Sequence, residues 1–292
     1  MNDRKGIILA GGSGTRLYPL TMGLSKQLLP IYDKPMIYYP LTVLMLAKIR
    51  EILIITTPRD LSIYQNFLGD GTQWGLSLSY KIQPNPDGLA QAFVLAENFL
   101  SGSPSAMILG DNIFFGHGLS QRLQGISKKV QGATIFGYHV SDPQRYGVVD
   151  FKNDWSVRSI VEKPTNSPSN FAVTGLYFVD GTAPIRAKEI TPSSRGELEI
   201  TSLLESYLTD GVLTVERFGR GYAWLDTGTH TSLLEASSFV KTIIERQGLQ
   251  IGSPDEVAFI NNWISKDDLM SRARFFGKNA YGDYLSKLAS TG

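Results

Sequence analysis

G-I-I-L-A-G-G-S-G-T-R-L-Y-P-L-T occupies residues 6–21, and S-K-Q-L-L-P-I-Y-D-K-P follows at 25–35. The apolar run Ile7–Ala10 stops abruptly at Gly11-Gly12-Ser13-Gly14-Thr15-Arg16, which reads as a strand running into a glycine-rich turn. Glycines let backbone N–H groups approach a polyanion without Cβ interference, and successive N–H groups form anion-binding nests. Arg16 and Lys26 add two cations to the same short stretch, so the pattern points to a phosphate-rich ligand. It is neither of the two commonest phosphate motifs. No lysine follows Gly14 in the P-loop register. A dinucleotide fingerprint counted from Gly12 and Gly14 would need glycine where Leu17 stands.

Outward from this loop, short apolar runs alternate with helical patterns. Residues 6–10, 51–57, 76–83 and 105–109 read as strands, and 36–49, 60–68 and 89–100 as the helices between them. That β-α-β-α order predicts a Rossmann-like, mostly parallel sheet with helices on both faces, whose ligands bind beyond the carboxyl ends of the strands. Gly11, Gln83 and Asp111 fall at or just past such ends. The second half changes character. Residues 133–139, 147–151, 157–162 and 171–179 are strand-like with short turns, Asn153-Asp154 marking a hairpin, and predict a small antiparallel lobe walling the cleft. Helical spacing returns at 197–208, strands at 213–218 and 222–225, and a long helix at 229–246. A helical tail follows, with Ser265-x-x-Asp268 as a helix start. The expected organisation is a core over 1–240, with a first half to about 115 that carries the glycine-rich loop and a second half from about 116. A helical extension over 241–292 is expected to pack on it.

Composition narrows the function. Of 292 residues, 42% are hydrophobic and 19% charged, as in a globular enzyme. Lys plus Arg is 28 against 27 Asp plus Glu, a net charge of +1, which argues against a general nucleic-acid or anionic-membrane binder. There is no cysteine, hence no disulfide, thiolate metal site or cysteine nucleophile. No signal-peptide core precedes the first strand, and the apolar stretch at 36–49 is too short for a bilayer span. A cytoplasmic protein is expected.

Two further runs end in a carboxylate: S-A-M-I-L-G-D at Asp111 and Y-A-W-L-D at Asp226. Each alone could be a turn former. Together with a phosphate loop they suggest a Mg²⁺ site, since Mg²⁺ takes one or two carboxylates plus phosphate oxygens and water. V-E-K-P puts Glu162 and Lys163 at a strand end; both can line one site only if the chain bends there. Gln83 sits where a loop containing Gly88 enters a helix, and a neutral amide can read a pyrimidine edge. His117, His139 and His230 have no metal-ligand spacing and no partner for a catalytic triad.

The two opening stretches, followed in order by Y-G-V-V-D-F, V-E-K-P, G-L-Y-F and W-L-D-T-G, closely resemble the sugar nucleotidyltransferase family along essentially the whole chain, and within it the thymidylyltransferase branch. The resemblance implies condensation of dTTP with glucose 1-phosphate to dTDP-glucose and pyrophosphate, the first step toward dTDP-rhamnose and related deoxysugars. It implies that Asp111 and Asp226 hold Mg²⁺. Gly11 to Arg16, with Gln27, Gln83 and Gly88, would bind the nucleotide. Tyr146, Gly147, Glu162, Lys163 and Val173 would bind the sugar phosphate. Arg16, Lys26, Asp111 and Asp226 would form the catalytic set. It also implies a homotetramer and dTDP-rhamnose as a feedback inhibitor, with no nucleic-acid or membrane partner. No hexapeptide repeats follow the core, so the acetyltransferase domain of some larger relatives is not expected. The alternatives are a uridylyltransferase or other sugar-1-phosphate nucleotidyltransferase, a metal-dependent glycosyltransferase, and a non-catalytic regulatory protein of the same fold.

Overall fold

A computed structural model describes residues 4–12 and 14–291; Ser13, one of the expected nucleotide-binding residues, lies outside them. The first half runs β1 (Lys5–Ala10), β2 (Pro30–Ile31), β3 (Lys34–Pro35), α1 (Tyr38–Leu46), β4 (Glu51–Thr56), α2 (Leu61–Leu68), β5 (Ser77–Ile82), α3 (Gln91–Leu100) and β6 (Ser105–Leu109). Next come β7 (Asn112–Gly116), α4 (Leu119–Ser127), β8 (Ala133–His139), β9 (Gly147–Phe151), β10 (Val157–Glu162) and β11 (Phe171–Val179). The remainder is α5 (Ala183–Glu189), α6 (Ile200–Thr209), β12 (Leu213–Phe218), β13 (Tyr222–Asp226), α7 (His230–Gln247), α8 (Pro254–Ile260), α9 (Lys266–Phe276) and α10 (Ala280–Thr291).

The main sheet follows the order β12-β8-β11-β6-β1-β4-β5. Its β6-β1-β4-β5 half is parallel, with Ile8 level with Ile54 and Ile108. β11 enters antiparallel to β6 and β8, and its first residues carry the β9–β10 hairpin. The antiparallel lobe is thus continuous with the parallel sheet. Strand alternation sorts the core into two layers. Ile8, Ile54 and Ile108 face Leu41, Leu44 and Leu123 of α1 and α4 on one side. Ile7, Ile55 and Met107 face Phe93, Leu203 and Leu204 of α3 and α6 on the other. The tail joins the first layer through Leu269, Tyr281 and Leu285. A third cluster packs Leu17, Ile31, Met36 and Ile113 under Ala236 and Val240 of α7, bracing the glycine-rich loop from below.

Three helices start later than their apolar spacing predicts, and backbone pairing explains each. Met36 and Ile37 donate to the carbonyls of Leu29 and Gln27, so α1 waits until Tyr38. Ala90 donates to Leu198, and Leu198 donates to Asp87, so α3 and α6 both start beyond this crossing. No helix among the described residues is long and apolar enough to cross a membrane.

Candidate active site

The glycine-rich loop is built as its sequence suggests. Gly12 and Gly14 have φ of 100° and 63°, values L side chains rarely adopt, and the chain then tightens into a short 3₁₀ turn at Thr15–Leu17. Thr21 Oγ1 closes the loop by donating to the Gly14 carbonyl (2.7 Å). Gly11, Gly12, Gly14, Thr15 and Arg16 share a cleft of about 330 Å³ with Lys26, Gln27 and Asp111. Gln27 is nearly buried. Its Oε1 accepts from Ser25 Oγ (2.8 Å) and its Nε2 donates to the Gly11 carbonyl (3.5 Å).

The two carboxylates come together because β7 and β13, more than a hundred residues apart, form a two-stranded ribbon in which Asp226 pairs with Asn112. The Asp111 carbonyl accepts from Thr227 N (3.2 Å) and Thr227 Oγ1 (2.9 Å), which binds the residue before β7 to the residue after β13. Lys26 forms an ion pair with Asp111. Burial pushes the Asp111 carboxyl up. The Lys26 charge, with hydrogen bonds from Lys26 and Asn112, outweighs that and holds it below the ordinary carboxylate value. Burial also pushes the Asp226 carboxyl up, and the charge of Asp111 adds to the rise, beyond what Arg145 and the Tyr146 hydroxyl take back. Arg145 lies 3.4 Å from Asp226 Oδ2, and the Tyr146 hydroxyl donates to Oδ1 at 3.1 Å. Gly228 fits between Asp226 and Arg16: a Cβ there would lie 3.3 Å from the carboxylate and 3.8 Å from the guanidinium.

Two adjacent carboxylates, one already ionised and the other raised by its neighbour's charge, fit a hard divalent cation, which would relieve their repulsion. Among the described residues no third His, Cys, Asp or Glu completes a protein-only metal cage. That suits an ion sharing its coordination with phosphate oxygens and water.

Glu162 and Lys163 open a second pocket, of about 450 Å³. Lys163 adopts φ of 41°, a left-handed conformation uncommon outside glycine. This is the bend that strand alternation required: the Lys163 ammonium comes back to 3.2 Å from Glu162 Oε1. Glu162 also meets Arg195 (3.3 Å) and accepts from Thr201 Oγ1 (3.3 Å). Gly147 is paired with Glu162, and a Cβ there would press on Thr201 at 2.9 Å. Val173 is buried behind Gly147 within the apolar layer. Tyr146 joins the two pockets: its backbone carbonyl accepts from Lys163 N (3.0 Å) while its hydroxyl reaches Asp226. Gln83 sits beside the glycine loop: a Cβ on Gly11 would lie 2.9 Å from Gln83 Oε1. Gly88, at φ 105°, passes so close to Leu198 that a Cβ would lie 2.3 Å from its carbonyl oxygen.

Sequence reasoning did not single out Asn112, Arg145 or Arg195. Asn112 is buried at the end of the ribbon, donating to Asp111 (3.0 Å) and accepting from Gly175 N (3.1 Å) and Trp224 Nε1 (2.6 Å). The available signal was a polar residue directly after Asp111 and before the apolar Ile113-Phe114. Arg145 adjoins the Tyr-Gly pair, a cue available from the same motif. Arg195 lies in P-S-S-R-G-E, where nothing local distinguishes it from a surface arginine. The histidines stay outside both pockets; His139 packs edge-on against Phe171.

A glycine loop and Asp111 past the carboxyl ends of parallel strands, two cations, and a second carboxylate brought in by the antiparallel β7–β13 ribbon define a nucleotide-transferring site, and the chain belongs to the nucleotidyl transferase family, whose model matches residues 5–243. Its relatives are more specific. A glucose-1-phosphate thymidylyltransferase of Xanthomonas campestris is 58% identical over 292 residues, all of this chain and 99% of that protein. Namesakes from Neisseria gonorrhoeae and Mycobacterium tuberculosis are 56% and 52% identical over 97% of this chain and 99% and 98% of their own lengths. Among solved structures, a Bacillus anthracis protein assigned as a glucose-1-phosphate thymidylyltransferase, in complex with sucrose, superposes with a TM-score of 0.75 at 40% identity, covering 81% of this chain and 94% of that one. UDP-glucose pyrophosphorylase complexed with UDP-glucose gives 0.72 at 26% identity, covering 82% and 98%.

Proposed function

We propose that this chain is a glucose-1-phosphate thymidylyltransferase, joining dTTP to α-D-glucose 1-phosphate to give dTDP-glucose and pyrophosphate. The observation that carries the reading is that the β7–β13 ribbon brings Asp111, in the glycine-loop cleft, together with Asp226, which Tyr146 links to the bend at Lys163. The nucleophile, a sugar-phosphate oxygen, is already anionic, so no general base is required. The task is to bring two polyanions into line, which calls for positioning and charge neutralisation. Arg16 and the amides of the glycine loop hold the triphosphate. Gln83, Gly88 and Gln27 face the base. Lys163 and Arg195 hold the incoming phosphate, and Glu162 meets sugar hydroxyls. Lys26 stabilises charge developing at the α-phosphate. Asp111, kept ionised by Lys26, and Asp226 would hold Mg²⁺, which when bound supplies Lewis-acid neutralisation of the α-phosphate.

The reading assigns residues to about 115 to the nucleotide and 116–240 to the sugar phosphate, with the remainder as a helical extension. It brings with it a cytoplasmic homotetramer, checked by light scattering, and inhibition by dTDP-rhamnose. A matrix of nucleoside triphosphates against sugar 1-phosphates, scored by pyrophosphate, tests the activity. Release should require both substrates and a divalent ion and be fastest with dTTP and glucose 1-phosphate. Release that needs no sugar 1-phosphate, or none with any pair, would overturn it.

A further inference from the structure

Gln83, nearly buried just past β5, is wired by hydrogen bonds of a single sense. Its Nε2 donates to Gln91 Oε1 (2.7 Å) and to the Gly88 carbonyl (3.4 Å). Gln91 Nε2 in turn donates to Asp87 Oδ2 (2.7 Å). The two ends of an amide have nearly the same shape, so a glutamine pair could in principle face either way. Here a carboxylate terminates the chain, and an ionised carboxylate only accepts. Asp87 therefore obliges Gln91 to turn its NH₂ outward and its carbonyl toward Gln83. Gln83 must then turn its own NH₂ toward Gln91. The group left over is Gln83 Oε1, which lies against the glycine loop: a Cβ on Gly11 would be 2.9 Å from it. Gly11 lines the nucleotide cleft together with Pro86 and Leu89 of the 84–90 loop that carries Asp87.

We propose that Asp87 and Gln91 are specificity-positioning residues, a one-way hydrogen-bond relay that fixes the Gln83 carbonyl oxygen toward the base and so selects a base with a ring N–H over cytosine. A pyrimidine 2,4-dione such as thymine carries a hydrogen on N3 and can donate to a fixed carbonyl oxygen. Cytosine has a lone pair at N3, so the same arrangement sets acceptor against acceptor. An amide free to flip would serve both bases; one locked from behind serves one. The backbone supports the lock, because Asp87 accepts from Leu198 N through its carbonyl (2.7 Å), which ties the relay's anchor to the loop before α6.

This inference rests on dTTP being the nucleotide substrate. Asp87→Asn replaces the one-way acceptor by an amide that can turn, and Gln91→Met keeps length while removing polarity. For each, kcat/KM with dTTP is measured alongside the Ki of dCTP against dTTP turnover. Loss of the relay should narrow the preference for dTTP over dCTP by about tenfold, the scale of one hydrogen bond's discrimination. A residue that merely braces the 84–90 loop would weaken both nucleotides equally, and an unchanged preference in both variants overturns the proposal. If one variant does not fold, the other decides. Calorimetric binding of dTTP and dCTP to the wild type and both variants reports the relay independently of turnover. A wild type that fails to release pyrophosphate from dTTP and glucose 1-phosphate would count against the activity, and the binding preference would still decide the relay.

Discussion

At the residue scale, Asp111 and Asp226 face opposite energetic consequences from one shared site. Asp111 is held below its ordinary value, so its ionised form stabilises the fold above the unfolded value, about 3.9, and that contribution disappears as pH falls through the folded one. Asp226 is raised, so its ionisation costs stability above its folded value and costs nothing below the unfolded one. Both Asp111→Asn and Asp226→Asn should remove most turnover if the pair holds the metal. In metal-free thermal melts near neutral pH, however, Asp111→Asn should lower Tm, because Lys26 loses its counter-ion, whereas Asp226→Asn should raise it. Both differences should fade below about pH 4. Near-normal rates in either variant, or Tm shifts of the same sign, would separate these residues from a common metal site. The proposed roles divide the cations by substrate. Arg16→Ala should weaken dTTP use and Lys163→Ala glucose 1-phosphate use, each by roughly 10- to 150-fold for a lost charge-assisted contact of about 1.5–3 kcal/mol. A KM effect of Lys163→Ala confined to dTTP would reverse the two pockets.

At the element scale, the β7–β13 ribbon sets the carboxylate geometry, and Asn112 is its hub. Asn112→Ala leaves Gly175 N–H and Trp224 Nε1–H without an acceptor in a buried setting, each costing about 1–3 kcal/mol, and frees the Asp111 carboxylate to rotate. The expected result is a lower urea midpoint together with a higher Mg²⁺ requirement at saturating substrates; destabilisation with an unchanged Mg²⁺ requirement would confine Asn112 to a structural role. This ribbon also marks where sequence reading ran out. The parallel strands announce themselves because both faces are buried, so Ile7–Ala10 and Ile52–Ile55 are continuous apolar runs. The capping box at Ser265 and Asp268 appears as its spacing predicts. β7 was not anticipated, because Ile113-Phe114-Phe115 is a short run whose partner lies more than a hundred residues away. α4 and α5 were missed although their spacing was local; α4 carries Gly125 within it and α5 Pro184 in its first turn. At the site, the loop and both aspartates were visible as interrupted strands. The second pocket needed the left-handed Lys163, a property of backbone geometry that no residue type encodes.

At the scale of the whole molecule, the tail's role follows from what it covers. The family model ends at residue 243, which would suit a dispensable appendage. The packing argues otherwise. Asp255, fully buried, accepts from Arg272 Nε (2.6 Å) and the Tyr281 hydroxyl (2.9 Å), and the Arg272 guanidinium lies over the ring of buried Trp74. Lys34, also buried, donates to Gln250 (2.6 Å), and Asn261 donates to the Met45 carbonyl (3.0 Å) at the end of α1. Gly75 and Gly252 are close-approach positions, where a Cβ would lie 2.8 Å from the Trp263 carbonyl and 2.6 Å from the Tyr39 ring. Ile264, Leu269, Tyr281 and Leu285 sit in the same apolar layer as Ile8 and Ile54. At about 1.5–3 kcal/mol for each large apolar side chain buried, these four alone contribute roughly 6–12 kcal/mol, comparable with the whole stability of an ordinary domain, about 5–15 kcal/mol. A chain ending at Gln250 should therefore aggregate or lose its cooperative transition. Arg272→Ala, which strands a buried carboxylate, should cost roughly 3–5 kcal/mol in the intact chain. Size-exclusion chromatography and thermal melts of both decide the matter. A monodisperse truncated protein melting with the wild type would make the tail a separable appendage, and any feedback site built from it could then be removed without touching the core.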